Sequence, residues 1–100
     1  MNTHPVKLVT IVCEALVRDS LTRLLKDVGA HGFTLFEVKG MGAHGSRIAD
    51  IEEFANIQIE VVVSPAVAER LLARLEKEFF SRFAIIAYVS DVCVLRPEKF

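Results

Sequence analysis

The residues best suited to chemistry lie in one short stretch. From position 40 to 55 the chain reads GMGAHGSRIADIEEFA, with three of the five glycines, an isolated arginine and an acidic second half. Gly40 and Gly42 open it, and Gly45, Ser46 and Arg47 follow. Glycine lets the main chain approach a ligand closely and present N–H groups to an anion. A guanidinium on such a loop suits forked hydrogen bonds to phosphate or carboxylate, and Lys39 adds a second cation just upstream. A solvated loop with inert charges fits the same residues, and both readings stand at this point. The P-loop signature does not occur, and GMGAHG at 40–45, which has the bare G-x-G-x-x-G spacing, is not followed by the helical stripe that the dinucleotide fingerprint requires. Asp50, Glu52 and Glu53 read as a solvated acidic stretch or, second, as a partner-recognition surface.

Other reactive side chains are scattered. His4, His31 and His44 occupy three separate segments without metal-ligand spacing, and read as surface histidines rather than a metal site. Glu14, Glu37 and Glu60 lie in or beside strand-like runs, but no nucleophile, base and orienting acid assemble in sequence. Glu60 falls on the polar side of its run and reads as a hydrogen-bonded surface group. Cys13 and Cys93 sit in apolar contexts and read as two packed thiols, too few for a disulfide scaffold. Near the end of the chain, Arg96 and Lys99 fit either an anion pocket or a frayed terminus.

The elements that must position these residues repeat at an offset of fifty. Residues 6–13 read as a strand. Val17, Leu21, Leu24, Leu25 and Val28 then form a helical stripe, Gly29 is a helix stop, and residues 33–39 read as a second strand. In the second half, residues 56–63 alternate as a strand, and Ser64-Pro65 is a helix start. Val67, Leu71, Leu72, Leu75 and Phe79 give the second stripe, and residues 83–90 a fourth strand. Val92 and Val94 suggest a short extra strand in a C-terminal extension, 91–100. The chain is βαβ–loop–βαβ, which predicts an α+β, ferredoxin-like sandwich: a four-stranded antiparallel sheet with both helices on one face. In LVTIVC and AIIAYV nearly every residue is apolar on both sides of the strand. The face without helices therefore needs a cover, and a homo-oligomer with sheets packed together supplies one.

Length and charge narrow the function. One hundred residues predict one domain. A net charge of −1 with no basic block argues against a nucleic-acid partner. No apolar run approaches the ~20 residues needed to span a bilayer, and a cytoplasmic location is expected.

The order of elements, the glycine and arginine loop between the repeats, and the two apolar sheet faces together resemble the PII signalling superfamily. GSR at 45–47, the acidic stretch, and FANIQIEVVV at 54–63 are similar to the PII-like branch that includes SbtB and the carboxysome-associated proteins. CEALV at 13–17 is similar to that branch's TEK-type segment, with Glu14 in the matching place. The resemblance implies a homotrimer with sheets facing inward and an adenine nucleotide, ADP or AMP and further cyclic AMP or ATP, in each cleft between subunits. It implies bicarbonate as a co-ligand at Gly45, Ser46 and Arg47. Residues 40–55 would be the T-loop that docks on a protein target, such as a bicarbonate transporter or a carboxysome component. Arg47 would hold phosphate with help from Lys39 or Arg96. Phe36, Glu37, Val38 and Gly40 would line the cleft, and Glu14, Tyr88 and Val89 would lie near the base or ribose. A regulator rather than an enzyme is implied, with no metal or required cofactor. The better-known PII proteins grip phosphates with a glycine- and lysine-rich turn. Here that place reads KEFFSRFA (77–84), which argues against tight Mg–ATP binding and 2-oxoglutarate sensing. The loop has no tyrosine to uridylylate. Two alternatives remain: a trimeric protein of the divalent-cation-tolerance type, and an acylphosphatase-like enzyme using Arg47 and Asn56.

Overall fold

A computed structural model of the chain describes residues 2–39, 41–42, 45–46 and 56–100. Gly40, His44, Arg47 and the acidic run at 50–53 lie outside the described residues. β1 spans His4–Glu14, rich in the β-branched and apolar residues that favour pleated backbone. One turn of 3-10 helix, Ala15–Val17, leads into α1, Arg18–Val28. The stripe of Val17, Leu21, Leu24, Leu25 and Val28 is buried throughout. Gly29 ends α1 at φ 96°, its N–H shared between the carbonyls of Leu25 and Lys26. This left-handed position strains any residue with a Cβ.

β2 is Thr34–Val38. Within the stretch expected to lack structure, β3 (Met41–Gly42) pairs with β4 (Gly45–Ser46) as a two-stranded ladder. β5, Asn56–Val63, alternates buried and half-buried positions along most of its length. α2, Pro65–Glu78, opens on Ser64, whose Oγ accepts the Val67 N–H at 3.2 Å. Pro65 sits at the first helical position, where no N–H is required.

The second half departs from the first where α2 ends. No glycine stops it, and the chain stays wound: the Phe80 N–H donates to Leu75, and those of Arg82 and Phe83 donate to Phe79. The Phe79 and Phe83 rings lie 6.0 Å apart, with Phe83 packed against the core. Phe83 thus belongs to the helix end rather than to a strand. β6 begins at Ile86 and runs unbroken to Val94, which replaces the expected strand at 83–90 and its short extra strand.

The four main strands form one antiparallel sheet in the order β2-β5-β1-β6. This is the ferredoxin-like α+β sandwich that the repeat predicts. On one face Val9, Ile11 and Cys13 from β1 and Ile57, Ile59, Val61 and Val63 from β5 meet both helices in a single core. Towards the other end of that face coverage runs out. Cys93, opposite Pro5, is exposed, so only Cys13 of the two cysteines is a packed thiol. Lys7 of β1 forms an ion pair with its cross-strand partner Asp91 on β6.

The second face has no helix among the described residues. It carries Val6, Leu8, Thr10 and Val12 from β1, Phe36 from β2, and Ile86 and Tyr88 from β6. Ile86 is 63% and Tyr88 51% exposed, so large apolar surface stands open to solvent.

Candidate functional site

At one end of the sheet β2 finishes, β5 begins and β1 finishes. Val38 stands opposite Asn56, and Asn56 opposite Glu14. Cross-strand partners share a face, so the three side chains project from the open face in a row. Lys39, exposed, follows Val38. One step further in, Phe36 pairs with Gln58 on the same face. Gln58 donates from Nε2 to Glu60 Oε2 at 3.3 Å, which makes Glu60 the hydrogen-bonded group that sequence suggested. Asn56 is only 8% exposed despite its polarity, and no hydrogen bond among the described residues involves its carboxamide. Polar atoms that are wholly sealed from solvent all have partners among the described residues, so the Asn56 amide keeps contact with the open face.

The structure sorts the remaining sequence candidates by edge. Phe36, Glu37, Val38 and Lys39 lie on or beside β2, one margin of the sheet; Tyr88 and Val89 lie on β6, the opposite margin. Three strand spacings, about 14 Å, separate the two margins. Tyr88 faces the open side, opposite Thr10, whereas Val89 pairs with Val9 and turns toward the helix side, as does Glu37 opposite Ile57. Arg96 lies two residues beyond Val94, which pairs with His4 at the far end of β1. At ~3.3 Å per strand residue, Arg96 sits roughly 35–40 Å along the sheet from the Glu14 row. Its guanidinium contacts Glu98 at 3.4 Å, and His31 Nδ1 lies 3.3 Å from the Lys99 carbonyl. Within one chain, therefore, Glu14, Val38 and Lys39 come together, and Tyr88, Val89 and Arg96 do not join them. Gly45 and Ser46 are placed by the main chain of β4, whereas Gly40 and Arg47 lie outside the described residues.

Asn56 is buried although the alternation of β5 puts it on the polar side of the strand. A polar side chain opening a strand beside a loop reads as exposed, and nothing in residue type reveals burial between Glu14 and Val38. Elsewhere, a groove of about 250 Å³ between α1 and α2 is lined by Arg23, Asp27, Arg74, Glu78 and Arg82 among others, and contains none of the sequence candidates. There Arg74 donates to both Glu78 carboxylate oxygens, at 2.6 and 3.1 Å, and the pair holds the Glu78 carboxyl below its usual range. Among the described residues no three His, Cys, Asp or Glu side chains stand close enough to hold a metal ion. No helix among them is long and apolar enough to cross a membrane.

The described residues thus form a ferredoxin-like sheet with no helix on its second face and a two-stranded ladder between its repeats. Residues 6–99 match the family model described as Nitrogen regulatory protein P-II, and the chain belongs to that family of regulatory proteins. The family match favours the regulatory reading over the divalent-cation-tolerance and acylphosphatase alternatives. Among solved structures, TTHA0516 from Thermus thermophilus, provisionally described as a PII-like signalling protein, is 45% identical. The match covers 100% of this chain and 99% of that one, with a TM-score of 0.87. CPII, a nitrogen regulatory PII-like protein from Thiomonas intermedia K12, is 29% identical over 99% of this chain and 96% of its own, with a TM-score of 0.91. That structure contains ADP, AMP and bicarbonate. A second CPII structure, with ADP, AMP and acetate, is also 29% identical. It covers 100% of this chain and 98% of that one, with a TM-score of 0.85.

Proposed function

We propose that this protein is a trimeric regulator that binds ADP or AMP in clefts between subunits, takes bicarbonate as a co-ligand, and reports occupancy through residues 40–55. The observation that carries the ligand assignment is the likeness to CPII over nearly the whole chain, in structures holding ADP, AMP and bicarbonate. The geometry supports a cleft between copies. The sequence candidates occupy opposite margins and opposite ends of one sheet, so they can share a ligand only if one chain's β2 margin faces another chain's β6 margin. The bare apolar face gives those copies a reason to associate, since burying apolar area contributes ~25 cal/mol per Å².

In this arrangement Arg47 is the principal phosphate contact, with Lys39 of the same chain and Arg96 of a neighbour assisting. Phe36, Val38 and Gly40 wall the cleft, and Glu14 and Tyr88 approach the base or ribose. Glu37 and Val89, turned to the helix side, contribute through their main chain at the two edges. Bicarbonate sits against Gly45, Ser46 and Arg47. Cyclic AMP and ATP are further candidate ligands, and an inorganic-carbon transporter or carboxysome component is the proposed target. The protein acts in the cytoplasm as one domain.

A thermal-shift screen of AMP, ADP, ATP, cyclic AMP, bicarbonate and divalent metals tests this. A ligand at 100-fold excess over its Kd stabilises by about 2.7 kcal/mol. ADP or AMP should raise the melting temperature, and a flat response to every nucleotide overturns the proposal.

A further inference from the structure

We propose that the groove between α1 and α2 is a docking surface for an acidic peptide segment of a partner protein, one that carries an apolar side chain between two carboxylates. The site follows from the departure at 77–84, where no glycine stops α2. The chain stays wound there, with the Arg82 and Phe83 N–H groups donating to the Phe79 carbonyl, so Arg82 stands beside the helix end rather than on a strand. Its guanidinium lies 5.0 Å from the centroid of the Phe83 ring, a cation–π contact that restrains the long side chain. On the other wall Ser20, Arg23 and Asp27 follow helical spacing along α1. Leu24 and Phe79, only 3% and 7% exposed, give the groove an apolar floor. Its volume is about 250 Å³, room for one large side chain.

Charge decides what enters. Three arginines and two acids line the groove. Arg74 engages both acids, donating twice to Glu78 and standing 3.9 Å from Asp27. Arg23 and Arg82 are exposed and form no ion pair with a described residue; Arg23 reaches only as far as the Ser20 hydroxyl, at 3.5 Å. Two guanidiniums, one on each wall, therefore present forked donors that a carboxylate would complete. A compact polyphosphate is a poor match, because Asp27 and Glu78 share the groove and repel concentrated negative charge. Carboxylates spaced along a peptide reach both arginines, while an apolar residue between them covers Leu24 and Phe79. A groove that takes an apolar anchor with charged flanks is a recurring mode of peptide recognition. This one lies on the helix side of the sheet, so a partner seated there leaves the bare face free for further copies of the chain.

NMR titration of the isotope-labelled full chain tests the assignment. The probe is an acetylated, amidated peptide with leucine flanked by glutamates one helical turn away on each side. It should move the backbone amides of 20–27 and 74–83 in a saturable way, and the same peptide with lysine for glutamate should not. Arg23→Glu and Arg82→Glu, on different elements, should each weaken the glutamate peptide ~3–10-fold, since an attraction becomes a repulsion at an exposed site. Lys26→Glu makes the same charge change outside the groove lining and should stay within about 2-fold of wild type. Circular dichroism melts verify folding, and the two arginine variants serve as checks on each other. Both arginine variants should keep the wild-type affinity for ADP, which separates this surface from the nucleotide site. A wild type whose groove amides stay still with the glutamate peptide overturns the assignment, as does a folded arginine variant that binds it as tightly as wild type. Inorganic phosphate that reproduces the peptide's shifts overturns it too, by making the groove a simple anion site.

Discussion

Cys13 and Cys93 should answer differently to the same reagent. Burial pushes the Cys13 thiol up to about 11, and the adjacent Glu14 carboxylate adds to the shift. The thiolate is the nucleophile, so Cys13 is both shielded and protonated near neutral pH, whereas Cys93 is exposed. Iodoacetamide at neutral pH should add one group per folded chain, on Cys93, and two after denaturation. Native modification of Cys13, seen by peptide mass spectrometry, would contradict the packing. For the proposed site, Arg47→Ala removes a charge-assisted contact of ~1.5–3 kcal/mol. It should weaken ADP ~10–100-fold by calorimetry, and an unchanged affinity would refute that role for Arg47. Residue type alone pointed to the glycines, Arg47 and Lys39, because few other residue combinations suit an anion. It could not reveal the burial of Asn56 or that Glu37 and Val89 turn toward the helices, since both follow from strand register. A one-residue change of register exchanges the two faces of a strand.

The two helix ends show how local chemistry sets an element's boundary. Gly29 stops α1 with φ 96°, and a Cβ built there would meet only the tip of Arg70, at 3.9 Å. The cost of Gly29→Ala is thus conformational rather than steric. It should destabilise by ~1–2 kcal/mol, lowering the melting temperature by about 4–8 °C per kcal/mol. A variant that melts with the wild type would mean the helix ends another way. Helix stripes and the alternation of β5 were legible because burial there follows a simple period. Every residue of the first stripe is buried, and β5 has the bounds its pattern suggests. The start of β6 was not legible. FFSRFA reads equally as strand or as helix end, and the packing of Phe83 on Phe79, a tertiary fact, decides it. Ala68 escaped the second stripe for a related reason. It is buried, but alanine is too small to mark a face by itself.

For the whole molecule, the open sheet face is the feature with the largest consequence for assembly. If copies cover it, light scattering should give three times the 11.1 kDa chain mass. Ile86→Lys, placing a charge where the side chain is 63% exposed in the single chain, should shift the protein toward monomer. A wild type that is monomeric at micromolar concentration would remove the premise. The order β2-β5-β1-β6 has a further outcome. The two repeats are interleaved: β5 separates β1 from β2, and β1 separates β5 from β6. Cut between β2 and β5, each fragment would own two strands that never pair with each other. Neither could build its sheet alone, yet together they hold every ladder of the native one. Separately expressed halves should be largely unstructured by circular dichroism and should regain native signal on mixing. The fold would then serve as a split reporter, its two inert pieces becoming one protein only when brought to the same place.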